Sequence, residues 1–117
     1  TIYEYNLPIK IFIMNDSRQQ MVHIWQKLFF NERYISTDNI NPDFNILSDA
    51  FYIDNICCDK EEDMKLSIQL ALEHPGPVLI NCIVEPDMCT PLVPPGNNLD
   101  DMLMNNTNIM LKGDTPN

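Results

Sequence analysis

Apolar and polar positions alternate between two rhythms along the chain. Ile9 to Met14 (IKIFIM) is a short apolar run broken only by Lys10, entered through Pro8 and left through Asn15-Asp16, which predicts a strand with turn residues at its exit. Met21, Val22, Trp25, Leu28 and Phe29 then recur at helical spacing, with Arg18, His23, Gln26 and Lys27 on the opposite side. The polar stretch from Asn31 to Ile40 is a connecting loop. Asn41-Pro42-Asp43 supplies a second helix start, with Asn41 as N-cap, Pro42 in the first helical position and Asp43 in the first turn. Phe44, Leu47 and Phe51 carry that helix forward, and Ile53 to Cys58 is a short strand. Asp59 and Glu62 form a capping-box-like pair ahead of a third helix bearing Met64, Ile68, Ala71 and Leu72, which Pro75-Gly76-Pro77 ends. Val78 to Val84 (VLINCIV) is apolar almost throughout, as a central parallel strand covered on both faces requires.

After Glu85 the prolines at 86, 91, 94 and 95 and Gly96 describe an extended surface segment, with a short helix starting near Asn98. Residues 105–117 have little to bury and are expected to be a flexible tail. The order strand, helix, helix, strand, helix, strand predicts an α/β fold, a parallel sheet in three layers, with residues 1–104 as one domain. At 117 residues and 44% hydrophobic composition, the chain can bury a true core.

Charge narrows the partners. Seventeen acidic against seven basic residues give a net charge of −10, which disfavours nucleic acid and anionic membranes. No apolar run approaches a membrane span. Cys57, Cys58, Cys82 and Cys89 lack the spacing of a zinc site and read as buried, reduced thiols of an intracellular protein. The chain opens on Thr1 and not on methionine, which is expected of a fragment or a processed chain.

Ligands of open parallel sheets bind beyond the carboxyl ends of the strands. Only Asn15-Asp16-Ser17-Arg18-Gln19 concentrates polar groups at such an end. A helix N-terminus follows it, suited to a phosphate, and Asp16 offers a carboxylate to Mg²⁺. The alternative is an ordinary turn with a helix cap. There is no glycine-rich phosphate loop, and His23 and His74 read as surface residues rather than bases.

The residues from Tyr5 to Asp16 (YNLPIKIFIMND) resemble the strand that closes the thiamine-diphosphate motif of enzymes using that cofactor. Met21 to Phe30 (MVHIWQKLFF) resembles the tryptophan helix of acetolactate synthase catalytic subunits. Arg33-Tyr34, Asn41-Pro42-Asp43-Phe44, Gly76-Pro77-Val78-Leu79 and Pro91-Leu92-Val93-Pro94-Pro95-Gly96 follow in that family's order, so the likeness extends to about Met104. It implies the thiamine-diphosphate-binding fold, here without its first strand and the Gly-Asp-Gly element that carries the other metal carboxylate.

The resemblance also implies a reaction: condensation of two pyruvates, or of pyruvate and 2-ketobutyrate, with release of CO₂, in branched-chain amino-acid biosynthesis. It assigns Asp16 and the backbone carbonyl of Arg18 to Mg²⁺, and Asp16, Gln19 and Met21 to the cofactor. Trp25 falls to the wall of the substrate and inhibitor channel. Asp16 stands where the family has asparagine, and Gln20 where it has glycine. No catalytic residue is assigned, because the family's activating glutamate belongs to another domain; the isolated chain is therefore expected to be inactive. FAD belongs to a further domain. The implied assembly is a homodimer or tetramer, with a regulatory small subunit as a further partner, in a plastid or a bacterial cytoplasm. The rival expectations are another thiamine-diphosphate carboligase or decarboxylase, or a non-catalytic module that kept the fold.

Overall fold

The computed structural model describes residues 1–87 and 91–104; Cys89 and the predicted tail, residues 105–117, lie outside the described residues. Two compact units are present. The first comprises residues 1–16 and 40–85, and the second residues 17–39 and 86–117.

The first unit holds a three-stranded parallel sheet of β1 (Lys10–Asn15), β2 (Asp54–Cys58) and β3 (Val78–Ile83), in the order β1-β3-β2. The apolar run VLINCI is thus the central strand, paired through Phe12↔Ile80 on one side and Ile56↔Ile80 on the other. Successive side chains of a strand point to opposite faces. Val78, Ile80 and Cys82 cluster with Ala71 and Met64 of the helix Glu61–Glu73. Leu79 lies beside Leu47, Ser48 and Phe51, and Asn81 bonds Asn45 of the helix Phe44–Ala50. The two helices therefore cover opposite faces, which is the three-layer arrangement the pattern predicts. We label them α2 (Phe44–Ala50) and α3 (Glu61–Glu73), after α1 (Gln20–Phe29) of the second unit.

Two local expectations about helix caps shift. The cap of α2 is Asp43 and not Asn41: its carboxylate accepts from the N–H groups of Asn45 and Ile46. The N-cap of α3 is Lys60, with no side-chain cap bond, so the Asp59–Glu62 box does not form; Glu61, Glu62 and Asp63 instead place three negative charges in the positive first turn. Lys10, the one charge inside β1, donates from Nζ to the carbonyls of His74 (2.5 Å) and Gly76 (2.6 Å) just past the end of α3. A cation there satisfies carbonyls the helix leaves open. His74 itself is half-buried, with Nε2 at 2.8 Å from Asp54 and Nδ1 accepting from the Gly76 N–H.

In the second unit Ile24 is the buried residue of α1, while Met21 and Val22, expected on the inward stripe, are exposed. The prolyl segment is not wholly at the surface, because Leu92 is buried and forms an antiparallel bridge with Leu103. Asn98 caps a short 3-10 turn, Leu99–Asp101, through a reciprocal capping box with Asp101.

Cys58 and Cys82 are buried side by side on β2 and β3, and Cys57 is exposed. Burial, and then the neighbouring thiols of Cys58 and Cys57, push the Cys82 thiol upward. At Cys57 local desolvation, followed by the carboxylates of Asp59 and Asp43, acts in the same direction. A raised thiol pKa means that the unfolded chain releases its proton first, so this stability is full below the ordinary thiol value and declines as pH rises through and beyond it. In a Cys89→Ser background, an aromatic disulfide reagent at neutral pH should modify Cys57 slowly and leave Cys58 and Cys82 untouched until the protein unfolds. Prompt labelling of all three would contradict this core.

Candidate cofactor loop

Asp16 is the last residue of the first unit, directly after the final residue of β1. It is half-buried. The residue before it is held by a chain of amides. Asn41 Nδ2 donates to Asn15 Oδ1 (2.9 Å), Asn15 Nδ2 to Asn81 Oδ1 (3.3 Å) and Asn81 Nδ2 to Asn45 Oδ1 (3.1 Å). Asn45 Nδ2 then donates to Asn55 Oδ1 (2.8 Å), and Asn55 Nδ2 to the Asp49 carboxylate (2.6 Å). Asn15, Asn81 and Asn55 stand one on each strand, all on the face that α2 covers. Buried amides with both ends bonded cost little, whereas an unmatched one would cost about 1–3 kcal/mol.

The second unit opens with Ser17, whose φ of +56° places it in the left-handed region and makes a tight bend after Asp16. Arg18 and Asp38 then form an antiparallel bridge. Its bonds are made by the flanking residues, Gln19 N–H to Thr37 carbonyl and Asn39 N–H to Ser17 carbonyl, both 2.8 Å. The Arg18 side chain closes the same turn through Nε to Asp38 Oδ1 at 2.7 Å. Gln19 is the N-cap of α1 and contributes no side-chain cap bond, and the first turn carries no acidic residue. The N-cap side chain therefore does not occupy the helix N-terminus, and no acid of the first turn opposes its charge, as a phosphate site needs. Met21 stands exposed in that first turn.

Gln20 begins α1 and is absent from the residues of positive φ, so the side chain at this position demands no special backbone angle. Its Nε2 donates to the Asp87 carbonyl at 2.6 Å, which leaves Oε1 buried without a partner. The Trp25 indole Nε1 is likewise buried and unpartnered, and its ring meets Phe29 edge-on at 6.4 Å. Both buried orphan polar atoms found among the described residues thus lie on α1, and such atoms call for a reason, a ligand among them. Trp25, Val22, Phe30, Arg33 and Tyr34 line an open pocket of about 480 Å³. His23, on the same helix, stacks on Tyr34 at 4.1 Å and bonds Thr37.

No group of three or more His, Cys, Asp or Glu side chains able to hold a metal occurs among the described residues. Asp16 offers a single carboxylate, and one carboxylate is what Mg²⁺ bound jointly with phosphates takes from a protein, unlike a closed protein cage.

Residues 1–82 match the family model described as thiamine pyrophosphate enzyme, C-terminal TPP binding domain. The chain belongs to that family. Among curated relatives, the acetolactate synthase large subunit of Pyropia yezoensis is 39% identical over 106 residues, covering 88% of this chain and 18% of that protein. The isozyme 2 large subunit of Escherichia coli is 36% identical, over 88% of this chain and 19% of that one, and the mitochondrial catalytic subunit of Saccharomyces cerevisiae 34% identical, over 82% and 14%. The chain therefore spans less than one fifth of the length of these relatives. The fold agrees with that of the thiamine diphosphate-dependent 4-hydroxybenzoylformate decarboxylase of Rhodococcus jostii RHA1, with a TM-score of 0.67 over 74% of this chain and 16% of that one, at 21% identity.

Sequence reasoning had singled out Asp16, Arg18, Gln19, Met21 and Trp25, but missed the asparagine relay behind Asp16. One signal was available: an amide inside the most apolar run of the chain, at Asn81.

Proposed function

We propose that this chain is part of the catalytic subunit of an acetolactate synthase, which condenses two pyruvates, or pyruvate and 2-ketobutyrate, with loss of CO₂. The observation that carries the reading is the reach of the likeness. The family model stops at residue 82, whereas the acetolactate synthase matches take in 88% of the chain. Residues 1–104 are, in this reading, the C-terminal part of a cofactor domain.

When bound, thiamine diphosphate supplies the electron sink for decarboxylating a 2-keto acid. The chain's own residues bind and orient. Asp16 and the Arg18 carbonyl would hold Mg²⁺, the start of α1 with Gln19 and Met21 would bind the cofactor, and Trp25 would wall the substrate channel and keep water from it. The remaining metal carboxylate and the activating glutamate come from residues outside this chain, so no catalysis is expected of residues 1–117 alone. FAD, a homodimeric or tetrameric assembly, a regulatory small subunit and a plastid or bacterial cytoplasmic setting complete the reading.

The test is titration of thiamine diphosphate into the longest polypeptide the gene encodes, with Mg²⁺ and again with the metal chelated, followed by pyruvate. Metal-dependent binding with acetolactate as product is the expected result. Decarboxylation without carbon–carbon bond formation would move the protein to another branch of thiamine-diphosphate enzymes, and no binding would end the enzyme reading.

A further inference from the structure

The amide relay has a direction, and the direction has a single origin. A carboxylate can only accept, so Asn55 must present Nδ2 to Asp49 and its Oδ1 then faces Asn45. Asn45 must donate to that oxygen, which turns its own Oδ1 to Asn81, and the same logic passes through Asn81 to Asn15 and Asn41. Five amides are thereby locked head to tail across all three strands and the first turn of α2. A charge at one end strengthens each bond along such a chain. The other end grips Asn15, whose peptide bond leads directly into Asp16.

We propose that this relay sets the position of Asp16, with Asn81 and Asp49 as positioning residues for the metal loop. The inference rests on the cofactor reading above. Asn81 is the pivot: it is 6% exposed, sits on the central strand and bonds neighbours from β1 and α2 at once. Asp49 is exposed on α2 and far along the relay from the loop, touching it only through four intervening asparagines.

The polarity makes the proposal testable by reversal. In Asn81→Asp a carboxylate stands at both ends of the Asn45–Asn55 pair, and one oxygen must then face another. Adding Asp49→Asn removes that conflict: the amide placed at 49 donates inward, and Asn55 and Asn45 flip to donate toward the carboxylate placed at 81. Outer partners of metal ligands typically shift metal affinity by about ten- to a hundredfold.

Thiamine diphosphate with Mg²⁺ is titrated into the gene's longest product bearing N81D, D49N, both, or D16A. N81D should weaken binding about tenfold, and the double variant should restore it to within about threefold, the usual scatter of independent effects. Asn45→Ala cuts the relay at the half-buried start of α2, and carries the same expectation of weakening should N81D not fold. In the 117-residue chain, the side-chain amide protons of Asn15, Asn45, Asn55 and Asn81 should exchange slowly in NMR spectra, and those of Asn45 faster once N81D sets a carboxylate oxygen against its Oδ1. Unchanged affinity in N81D, or a lowered melting temperature with unchanged affinity, overturns the positioning role while loss of binding in D16A leaves the cofactor reading standing. Full binding by D16A overturns both.

Discussion

Replacing Asp16 by alanine should weaken Mg²⁺-dependent binding of thiamine diphosphate on the order of a hundredfold, more than an outer partner of a metal ligand costs, while leaving folding nearly intact. The side chain is half-buried at the end of β1 and takes no place in the core. Its loss removes the one carboxylate this loop offers, and Mg²⁺ tolerates few substitutes because it holds only one or two protein carboxylates to begin with. Asp16→Asn is the informative companion. A carboxylate attracts the metal and repels the diphosphate; a bound Mg²⁺ would sit about 2 Å from its ligand, so the attraction would act over the shorter distance and outweigh the repulsion. The asparagine variant should therefore bind more weakly than the unsubstituted protein and far better than the alanine variant. Equal affinity of all three, measured calorimetrically with metal and with chelator, would remove the metal site from the exit of β1.

Much of this arrangement was legible along the chain because its physics is local. A run as apolar as VLINCI, broken only by Asn81, can only be tolerated where both faces are covered, and β3 is indeed the central strand between two helices. The turn residues after Met14 and the periodic stretch from Met21 to Phe29 marked the loop and the helix that follows it. What escaped was non-local. Asn41 and Asp43 are both competent N-caps, with Pro42 compatible with either, and no window of sequence decides between them. The structure decides: α2 begins at Phe44, so the Asp43 carboxylate reaches the N–H groups of Asn45 and Ile46, while Asn41 Nδ2 donates to Asn15, 26 residues away. Asn81 reads as a flaw in a hydrophobic strand until Asn15 and Asn45 are brought to it from opposite sides. The inward face of α1 escaped in the same way: Ile24 fits the core as well as Met21 does by spacing alone, and only packing chose between them. The candidate loop is thus marked by its own turn residues, whereas what holds it still is not.

The second large effect belongs to β3. Ile80→Ala should destabilise the protein by about 3 kcal/mol, as lost burial and an unfilled cavity do together at such positions. Ile80 is fully buried, paired to both neighbouring strands, and packed among Val78, Cys82, Ala71, Ile56 and Met64. A three-stranded sheet offers few other contacts to absorb the loss, and total stabilities are only about 5–15 kcal/mol. The urea midpoint should fall by more than about 1 M at an unchanged slope. Leu66→Ala is the control, because Leu66 on α3 is 56% exposed and its truncation should move the midpoint little. If Leu66→Ala proved as damaging as Ile80→Ala, the outer side of α3 would have to be covered in solution, and the sheet's covered face would not be where most of the stability resides. If Ile80→Ala alone collapses the transition, β3 is the strand on which β1, and with it the metal loop, depends.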